Sequence, residues 1–302
     1  MLKRLAYFIF YGNYFYGCCT AALAAEASFQ QHLPLNSVYF YLLLYFGTVL
    51  FYTCAYIQEG SYAGSNKRSK WYAANLLLVK RTQWLFAVGC ALLSAYLLIK
   101  HFHGLQNISI TQMLLPAVAG FAALSYYGIP LGIHSTFNLR KTGWFKPFAI
   151  GLVWATTVTY LPLIWYQAEQ DTAYQFSSFN TWFFIKNFMY ISLLAVLFDI
   201  KDYATDYNKQ LKTFVVRFGL RKTIFYIIMP LTIIGFISFI IFASLLHFHL
   251  LRIIINSIPF ILLLLVAWSM QRRKSILYYL VVIDGLMLVK ALCGITASLL
   301  VK

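Results

Sequence analysis

Long apolar segments recur along this chain and constrain its fold more than any other feature. Nine stretches approach the roughly 20 apolar residues that a helix needs to cross a bilayer. They cover residues 5–25, 38–58, 83–99, 112–128, 147–167, 181–198, 223–246, 252–270 and 277–300. Only 11% of the residues are charged, whereas a soluble domain has about 25%. The pattern predicts an all-α, polytopic membrane protein rather than a soluble one.

The basic residues are distributed unevenly between the two ends of these segments. The net charge of +16 would suit nucleic acid only if it lay on one solvated face, and here it lies in loops between apolar runs. Most Lys and Arg residues fall at the N-terminus and in every second loop, including 59–82 and 199–222. The positive-inside rule therefore predicts a cytoplasmic N-terminus, with these loops on the same side. We expect a bilayer and no nucleic acid as the surroundings.

An acidic cluster follows the sixth apolar segment, in the stretch LFDIKDYATDYNKQLKTF at 197–214. On a helix, Asp199, Asp202 and Asp206 fall within an arc of about 60°. Three like charges on one face need a cation or bases beside them, and oxygen ligands suit Mg²⁺ shared with a phosphate. Nearby bases, including Lys212, can take up further phosphate charge. The alternative is a solvated loop whose acids pair with those same bases.

This stretch resembles the second aspartate-rich motif of the UbiA-type intramembrane prenyltransferases. The family's motif follows the sixth of nine helices, and a Lys-Thr pair and a Gly come after it; here these are Lys212, Thr213 and Gly219. The resemblance implies nine transmembrane helices around a central cavity, in one domain over residues 1–302. It also implies that Mg²⁺ and an isoprenyl diphosphate bind at the cytoplasmic mouth, and that the prenyl group passes to a lipophilic acceptor such as a quinone precursor.

The family's first acidic motif, N-D-x-x-D-x-x-x-D, corresponds here to QEGSYAGSN at 58–66. Gln58 and Glu59 stand for the Asn and the first Asp, while Tyr62 and Asn66 replace the other two acids. One carboxylate of three therefore remains. Lys67 and Arg68 follow directly, and their fixed positive charge can replace that of a metal beside a diphosphate.

Two further groups complete the set of candidate site residues. In the loop after the fourth segment, Arg140 and Lys141 resemble the family's basic pair that follows a Tyr, here Tyr126 or Tyr127. Polar residues inside apolar segments are costly and often functional. Of these, Asn13 and Asp284 are the better pocket candidates, while Lys186 and Lys290 have less obvious roles.

With these residues, the resemblance implies a Mg²⁺-dependent prenyltransferase, which we expect in a bacterial inner membrane. Asp199, Asp202 and Lys212 form the predicted catalytic set, with Asp199, Asp202 and Asp206 as metal ligands. Gln58, Glu59, Asn66, Lys67, Arg68, Arg140, Lys141 and Asn13 form the predicted substrate-binding set. Two alternatives stay open: a relative that binds prenyl lipids or a partner without transfer, which the depleted first motif would suit, and a transporter, which the charges inside apolar segments would suit.

Overall fold

The computed structural model describes residues 2–59, 67–127, 129–130, 136–137, 139, 142–272 and 274–301. Sixteen helical segments make up nearly all of this part of the chain. They are α1 (Leu2–Tyr11), α2 (Tyr14–Gln30), α3 (Val38–Glu59), α4 (Lys67–Ala74), α5 (Leu76–Lys100), α6 (Phe102–Gln106), α7 (Ile110–Tyr127), α8 (Lys146–Ala155), α9 (Leu161–Gln170), α10 (Ser178–Asn208), α11 (Phe214–Phe218), α12 (Leu220–Lys222), α13 (Met229–Leu245), α14 (Leu250–Ser269), α15 (Ile276–Tyr278) and α16 (Gly285–Leu300).

Short irregular elements join some of these helices. A 3₁₀ turn at Gly143–Phe145 precedes α8, and π-helical turns at Thr156–Tyr160, Thr223–Ile228 and Tyr279–Ile283 continue α8, α12 and α15 into the next helix. After α7, strands β1 (Ile129–Pro130) and β2 (Thr136–Phe137) pair antiparallel, with Ile129 opposite Phe137 and Pro130 opposite Thr136. Apart from this two-residue ladder, the prediction of an all-α fold is confirmed.

Helices occupy all nine predicted apolar segments. Within the described ranges, six continuous helical stretches are long and apolar enough to cross a membrane: Leu76–Lys100, Gly143–Gln170, Ser178–Asn208, Leu220–Leu245, Leu250–Ser269 and Ile276–Leu300. Two shorter apolar helices cover Val38–Cys54 and Ile110–Tyr126. The first segment is divided at Asn13, whose left-handed backbone (φ 64°) separates α1 from α2. The chain is therefore a multi-pass membrane protein, while the count of nine crossings stays a prediction.

Helix α10 carries the acidic cluster and is the longest helix described. Ser177 and Asn180 begin it with a reciprocal cap, in which each side chain accepts a hydrogen bond from the other's backbone N–H. Its 31 residues extend about 46 Å, well beyond a hydrocarbon core of about 30 Å. The helix therefore continues through Asp199, Asp202 and Asp206 to Asn208, where a loop begins. The cluster lies on a helix, as its spacing assumed, and not in the predicted loop.

The main apolar core surrounds the middle of α10 and binds the bundle together. Tyr190, Leu194 and Leu197 of α10 are buried there against side chains of α2, α14 and α16. Apolar burial contributes less to helix association in lipid than in water, so close packing and interhelical polar contacts matter more. Both are evident between α10 and its neighbours.

A buried polar cluster joins three helices at the end of the bundle where α2 ends. Lys290 donates to both carboxylate oxygens of Glu26, at 2.9 and 2.7 Å, and Glu26 is completely buried. Gln30 accepts from Arg252 at 2.9 Å and donates to Asn256 at 3.1 Å. These contacts connect α2, α14 and α16 through groups that hydrocarbon would leave unpaired.

Lys186 on α10 belongs to the same region but has a different environment. Its ammonium lies 4.6 Å from the centre of the Phe183 ring, 5.2 Å from that of Trp182 and 5.8 Å from that of Phe239. The side chain is buried among these rings.

Gly151 lets α8 approach α10 closely, and this approach sets the distance between two charged residues of the cavity described below. A Cβ at Gly151 would lie 2.1 Å from Ser192 Oγ and 2.9 Å from the Phe188 carbonyl oxygen, both on α10. We expect Gly151→Ala to lower the free energy of unfolding by about 1–3 kcal/mol, because the helices must separate or distort. Unfolding in detergent would measure this.

Gly120 on α7 provides the matched control, since a Cβ there would meet no atom within 4 Å. Gly120→Ala should be neutral or slightly stabilising, whereas adding Ser192→Ala to Gly151→Ala should recover part of the loss. Equal stability of the Gly151→Ala and Gly120→Ala variants would contradict the close approach.

Candidate functional site

A cavity of about 150 Å³ lies between the helices at the end of the bundle where α3 and α10 end and α8 begins. Charged and polar side chains line one part of it, and aromatic and aliphatic side chains line the rest. The lining residues are Asn13, Tyr16, Tyr52, Tyr56, Arg68, Tyr126, Lys146, Ile150, Trp154, Ile191, Leu194, Ala195, Phe198, Asp199, Lys201, Asp202, Asp284 and Met287. The cavity thus combines a set of ionisable groups with an apolar wall.

Asp199 is the most enclosed carboxylate of the acidic cluster. Lys146, at the start of α8, donates to its Oδ1 at 2.5 Å, and the two side chains are 15% and 3% exposed, respectively. Its other oxygen, Oδ2, is buried and has no hydrogen-bond partner among the described residues. A buried carboxylate oxygen without a partner is costly, so a cation or a hydrogen-bond donor beside it would stabilise this residue.

The other two aspartates of the cluster differ in position. Asp202 lines the cavity, is 43% exposed at its side chain and lies 3.4 Å from Lys201. Asp206, one turn further along α10, is not among the lining residues. Over the part of the chain that the structure describes, no group of three His, Cys, Asp or Glu residues is placed to hold a metal. Of the three aspartates predicted as metal ligands, Asp199 and Asp202 are the two that line the cavity.

Arg68 brings a positive charge from α4 into the cavity. Its guanidinium is almost completely buried, and it donates to Asn13 Oδ1 at 2.6 Å, to the Tyr11 carbonyl at 3.0 Å and to the Tyr56 hydroxyl at 2.9 Å. Burial raises the pKa of the neighbouring Tyr72 to about 12. That hydroxyl therefore stays protonated, donating to the Tyr11 carbonyl at 2.7 Å and accepting from Asn13 at 3.2 Å. Asn13 and Tyr72 thus help to fix the approach of Arg68 to the cavity.

Asp284 faces the cavity from the other side, where the π turn meets α16. Its backbone N–H bonds to the Tyr279 carbonyl, five residues back, so the π turn sets its orientation. The Tyr16 hydroxyl donates to Asp284 Oδ1 at 2.8 Å. Oδ2 is buried and makes no hydrogen bond to any described residue. Both intramembrane pocket candidates, Asn13 and Asp284, therefore line one cavity.

Two apolar cavities adjoin the charged one through shared wall residues. One, of about 180 Å³, is lined by aliphatic and aromatic side chains of α3, α7 and α8, including Leu43, Phe51 and Val153. A smaller cavity, of about 30 Å³, lies against the same walls. Tyr52 and Trp154 line all three, and the Trp154 indole donates to the Tyr52 hydroxyl at 2.6 Å. The site therefore has charged groups at one end and apolar space beside them.

Not every predicted site residue is found at this cavity. Lys67 and Lys212 are exposed, and their side chains do not contribute to its lining. Gln58 and Glu59 end α3, but their side chains lie outside the described part of the structure, as do Asn66, Arg140 and Lys141. Asn13, Arg68, Asp199 and Asp202 are the members of the predicted set that the structure brings together.

Sequence reasoning missed several residues that line the cavity. Lys146 was counted only as a loop charge, because its partner is 53 residues away in sequence. Lys201 lies beside Asp202 on α10, with its ammonium 4.7 Å from the centre of the Phe198 ring. Tyr16 stacks on Tyr52 with ring centres 4.7 Å apart. Tyr16 is one of 23 Tyr residues, and no pattern in the sequence distinguished it from the others.

Comparison with known proteins gives matches in structure but not in sequence. No family model matches the chain, and no curated protein matches it. A UbiA homologue from Archaeoglobus fulgidus bound to DMAPP and Mg²⁺ aligns at a TM-score of 0.56 and 15% identity, covering 95% of this chain and 99% of that one. A second structure of that homologue, bound to GPP and Mg²⁺, aligns at 0.52 and 14% identity, covering 96% and 99%.

A third solved structure, of digeranylgeranylglyceryl phosphate synthase, aligns at a TM-score of 0.55 and 13% identity over 100% of both chains. At these identities the alignments establish fold rather than activity. They confirm what the acidic motif of α10 implied about architecture: this chain has the fold of the UbiA-type prenyltransferases over essentially its whole length.

Proposed function

We propose that this protein is an intramembrane prenyltransferase that moves an isoprenyl group from its diphosphate to a lipophilic acceptor. The single observation that carries the proposal is the cavity, in which buried and half-buried charges adjoin apolar space. Asp199, Asp202, Arg68, Lys146 and Lys201 supply the charges. An isoprenyl diphosphate has the same division, with an anionic head and an apolar tail. The shared fold with proteins bound to DMAPP or GPP supports this reading.

The carboxylates of α10 fit a Mg²⁺ ion. Asp199 Oδ2 is buried and unpaired among the described residues, and Asp202 lines the same cavity. Mg²⁺ in phosphate-transfer sites uses one or two carboxylates together with substrate oxygens and water. Asp199 and Asp202 would hold the ion, and when bound it would neutralise charge on the diphosphate. Asp206, the third predicted ligand, is a weaker candidate because it does not line the cavity.

Fixed cations on two elements, α4 and α8, would bind the head of the substrate. Arg68 is held by Asn13 and Tyr56, so its guanidinium is oriented before any ligand enters. Lys146 is oriented in the same way by Asp199. Preorganised charges cost little reorganisation when negative charge develops on a leaving diphosphate. These two residues would bind the diphosphate and stabilise it as it leaves.

The apolar walls would protect the transferred group. Tyr16, Tyr52, Trp154 and Phe198 line the cavity next to the charged groups, and the adjoining apolar cavities continue from Tyr52 and Trp154. Ring faces stabilise a nearby cation, and dry walls keep an allylic cation from reacting with water. We propose that the charged end of the cavity lies on the cytoplasmic side of a bacterial inner membrane. We also propose that the acceptors include a quinone precursor.

Binding without transfer is the second candidate function. It is favoured by the ion pair between Lys146 and Asp199, which already occupies one carboxylate oxygen, and by the loss of two acids from the first motif. A protein of this kind would bind the diphosphate through its cations and leave the carbon–oxygen bond intact.

Asp202 offers a direct test of the proposal, because it is exposed enough to be replaced without loss of packing. We expect Asp202→Asn to lower the rate of prenyl transfer by at least about tenfold, because the variant loses one carboxylate beside the diphosphate. The assay would follow labelled prenyl diphosphates and an acceptor panel in purified protein.

Asp171→Asn is the matched control for this substitution. Asp171 is an exposed aspartate that directly follows the last residue of α9. Its side chain accepts a hydrogen bond from Asn107 at 2.7 Å. Its variant should transfer at the wild-type rate. Transfer that is unchanged in Asp202→Asn would remove Asp202 from the site, and turnover absent from the wild type with diphosphate still bound would favour the second function.

A further inference from the structure

We propose that three buried cations, at the end of the bundle opposite the candidate site, bind the phosphate group of an anionic phospholipid. They are Lys186 on α10, Arg252 on α14 and Lys290 on α16. Lys186 precedes Asp199 by 13 residues on α10, which is about 20 Å along the helix. The proposed lipid site is therefore separate from the cavity and does not depend on prenyl transfer.

The charges of this group do not balance. In the part of the chain that the structure describes, Glu26 is the one carboxylate paired with these cations, and it accepts only from Lys290. Arg252 donates to Gln30 Oε1 at 2.9 Å and lies 3.4 Å from His32 Nε2, while its Nε makes no hydrogen bond to any described residue. Lys186 contacts aromatic rings and has no ion pair or hydrogen bond within the described ranges. Two positive charges therefore lack a counter-charge in a buried region, which is costly unless an anion joins them.

The cations are close enough to one another to share one anion. Lys186 and Lys290 face the same ring, Phe183, with their ammonium nitrogens 4.6 and 5.4 Å from its centre, so these nitrogens are at most about 10 Å apart. The charges that act on the Lys186 ammonium are those of Lys290, Arg252 and Glu26. A phosphate presents several acceptor oxygens in different directions, so one group can accept from two or three of these donors.

The position of Arg252 suits a lipid head group. It is the third residue of α14, and the ends of membrane-spanning helices lie at the level of the head groups. Beside it, Leu250, Leu251 and Ile254 of α14 are exposed, as is Leu245 at the end of α13. These side chains would contact the acyl chains while the phosphate lies between the helices. Basic pockets between transmembrane helices bind anionic head groups in this way.

The test compares radiolabelled dioleoyl phosphatidylglycerol with dioleoyl phosphatidylcholine as ligands of the purified protein in detergent. Both carry the same phosphate, but the choline head adds a positive charge beside the three cations. In about 1 M NaCl, where the Debye length is about 3 Å and exposed bases are screened, we expect the wild type to bind phosphatidylglycerol about tenfold more tightly. In Lys186→Met this preference should fall to about twofold, because one of the three cations is lost. Lys186→Arg keeps the charge and should retain most of the preference.

Lys100→Met is the matched control, because Lys100 is an exposed lysine at the same end of the bundle, with its ammonium 5.5 Å from the centre of the Tyr96 ring. It should keep the full preference. If Lys186→Met does not fold, Arg252→Met replaces it, with an expected fall to about threefold.

A large excess of inorganic phosphate should leave the labelled lipid bound, and its displacement would assign the site to free phosphate and overturn the lipid proposal. Equal binding of the two lipids by the wild type would overturn it as well. The same holds for a preference that is equal in the wild type, Lys186→Met and Arg252→Met.

Discussion

Replacing Asp199 by Asn is expected to reduce prenyl transfer by at least about 100-fold. The substitution removes the charge that orients the Lys146 ammonium at 2.5 Å, together with a buried, unpaired carboxylate oxygen of a residue that lines the cavity. Removal of one preorganised electrostatic group from an active site typically costs 10²–10³ in rate. The measurement is kcat with labelled geranyl diphosphate at saturating acceptor.

The loss should arise mainly in kcat, because Arg68 and Lys201 still attract the diphosphate. A second variant, Lys146→Met, separates the loss of the ion pair from the loss of the carboxylate. It removes the Lys146 ammonium and leaves the Asp199 carboxylate in place. Asp171→Asn should match the wild type. If Asp199→Asn retains more than a tenth of wild-type kcat while Asp202→Asn does not, the assignment of Asp199 is wrong.

Breaking the ion pair between Glu26 and Lys290 should have the largest effect on stability. Both side chains are buried, with exposed fractions of 0% for Glu26 and 6% for Lys290. Glu26→Gln leaves the Lys290 ammonium without a charge partner, and removal of one member of a buried pair costs about 3–5 kcal/mol. We expect a loss of this size in the free energy of unfolding, measured in mixed detergent micelles.

The double variant tests whether this cost comes from the unpaired charge. Glu26→Gln with Lys290→Met leaves no buried charge from the pair, so its stability should return to within about 1 kcal/mol of the wild type. Lys186→Met is the matched control: Lys186 is buried over three rings, with no ion pair among the described residues, so its replacement should be neutral or stabilising. Additive losses in the double variant would count against this account.

The sequence predicted the architecture well because the signals are local. Each apolar run of about 20 residues is visible within one stretch of sequence, and so is the content of Lys and Arg in each loop. The spacing of Asp199, Asp202 and Asp206 is equally local. Asn13 and Asp284 were also found, since an isolated polar residue inside an apolar run is unusual in itself. The helical register places Asp199 and Asp202 on one face, and both line one cavity.

Long-range partners were not readable in the same way. Lys146 and Asp199 pair across 53 residues, and Glu26 and Lys290 across 264. The sequence left the role of Lys290 open, and packing places its ammonium against Glu26 on α2. Gly294 makes this possible, because a Cβ there would lie 2.5 Å from the Glu26 side chain. The position of Asp206 away from the cavity likewise depends on which neighbours cover the end of α10.

The central claim is that this cavity transfers prenyl groups, and one measurement tests it most directly. Purified wild-type protein with Mg²⁺, geranyl diphosphate labelled in the prenyl chain and a panel of lipophilic alcohols and phenols should give labelled lipid-soluble product and free diphosphate in equal amounts. The Asp199→Asn protein should give both products at least about 100-fold more slowly. Label that remains entirely in geranyl diphosphate, under conditions where the wild-type protein binds it, would contradict the account.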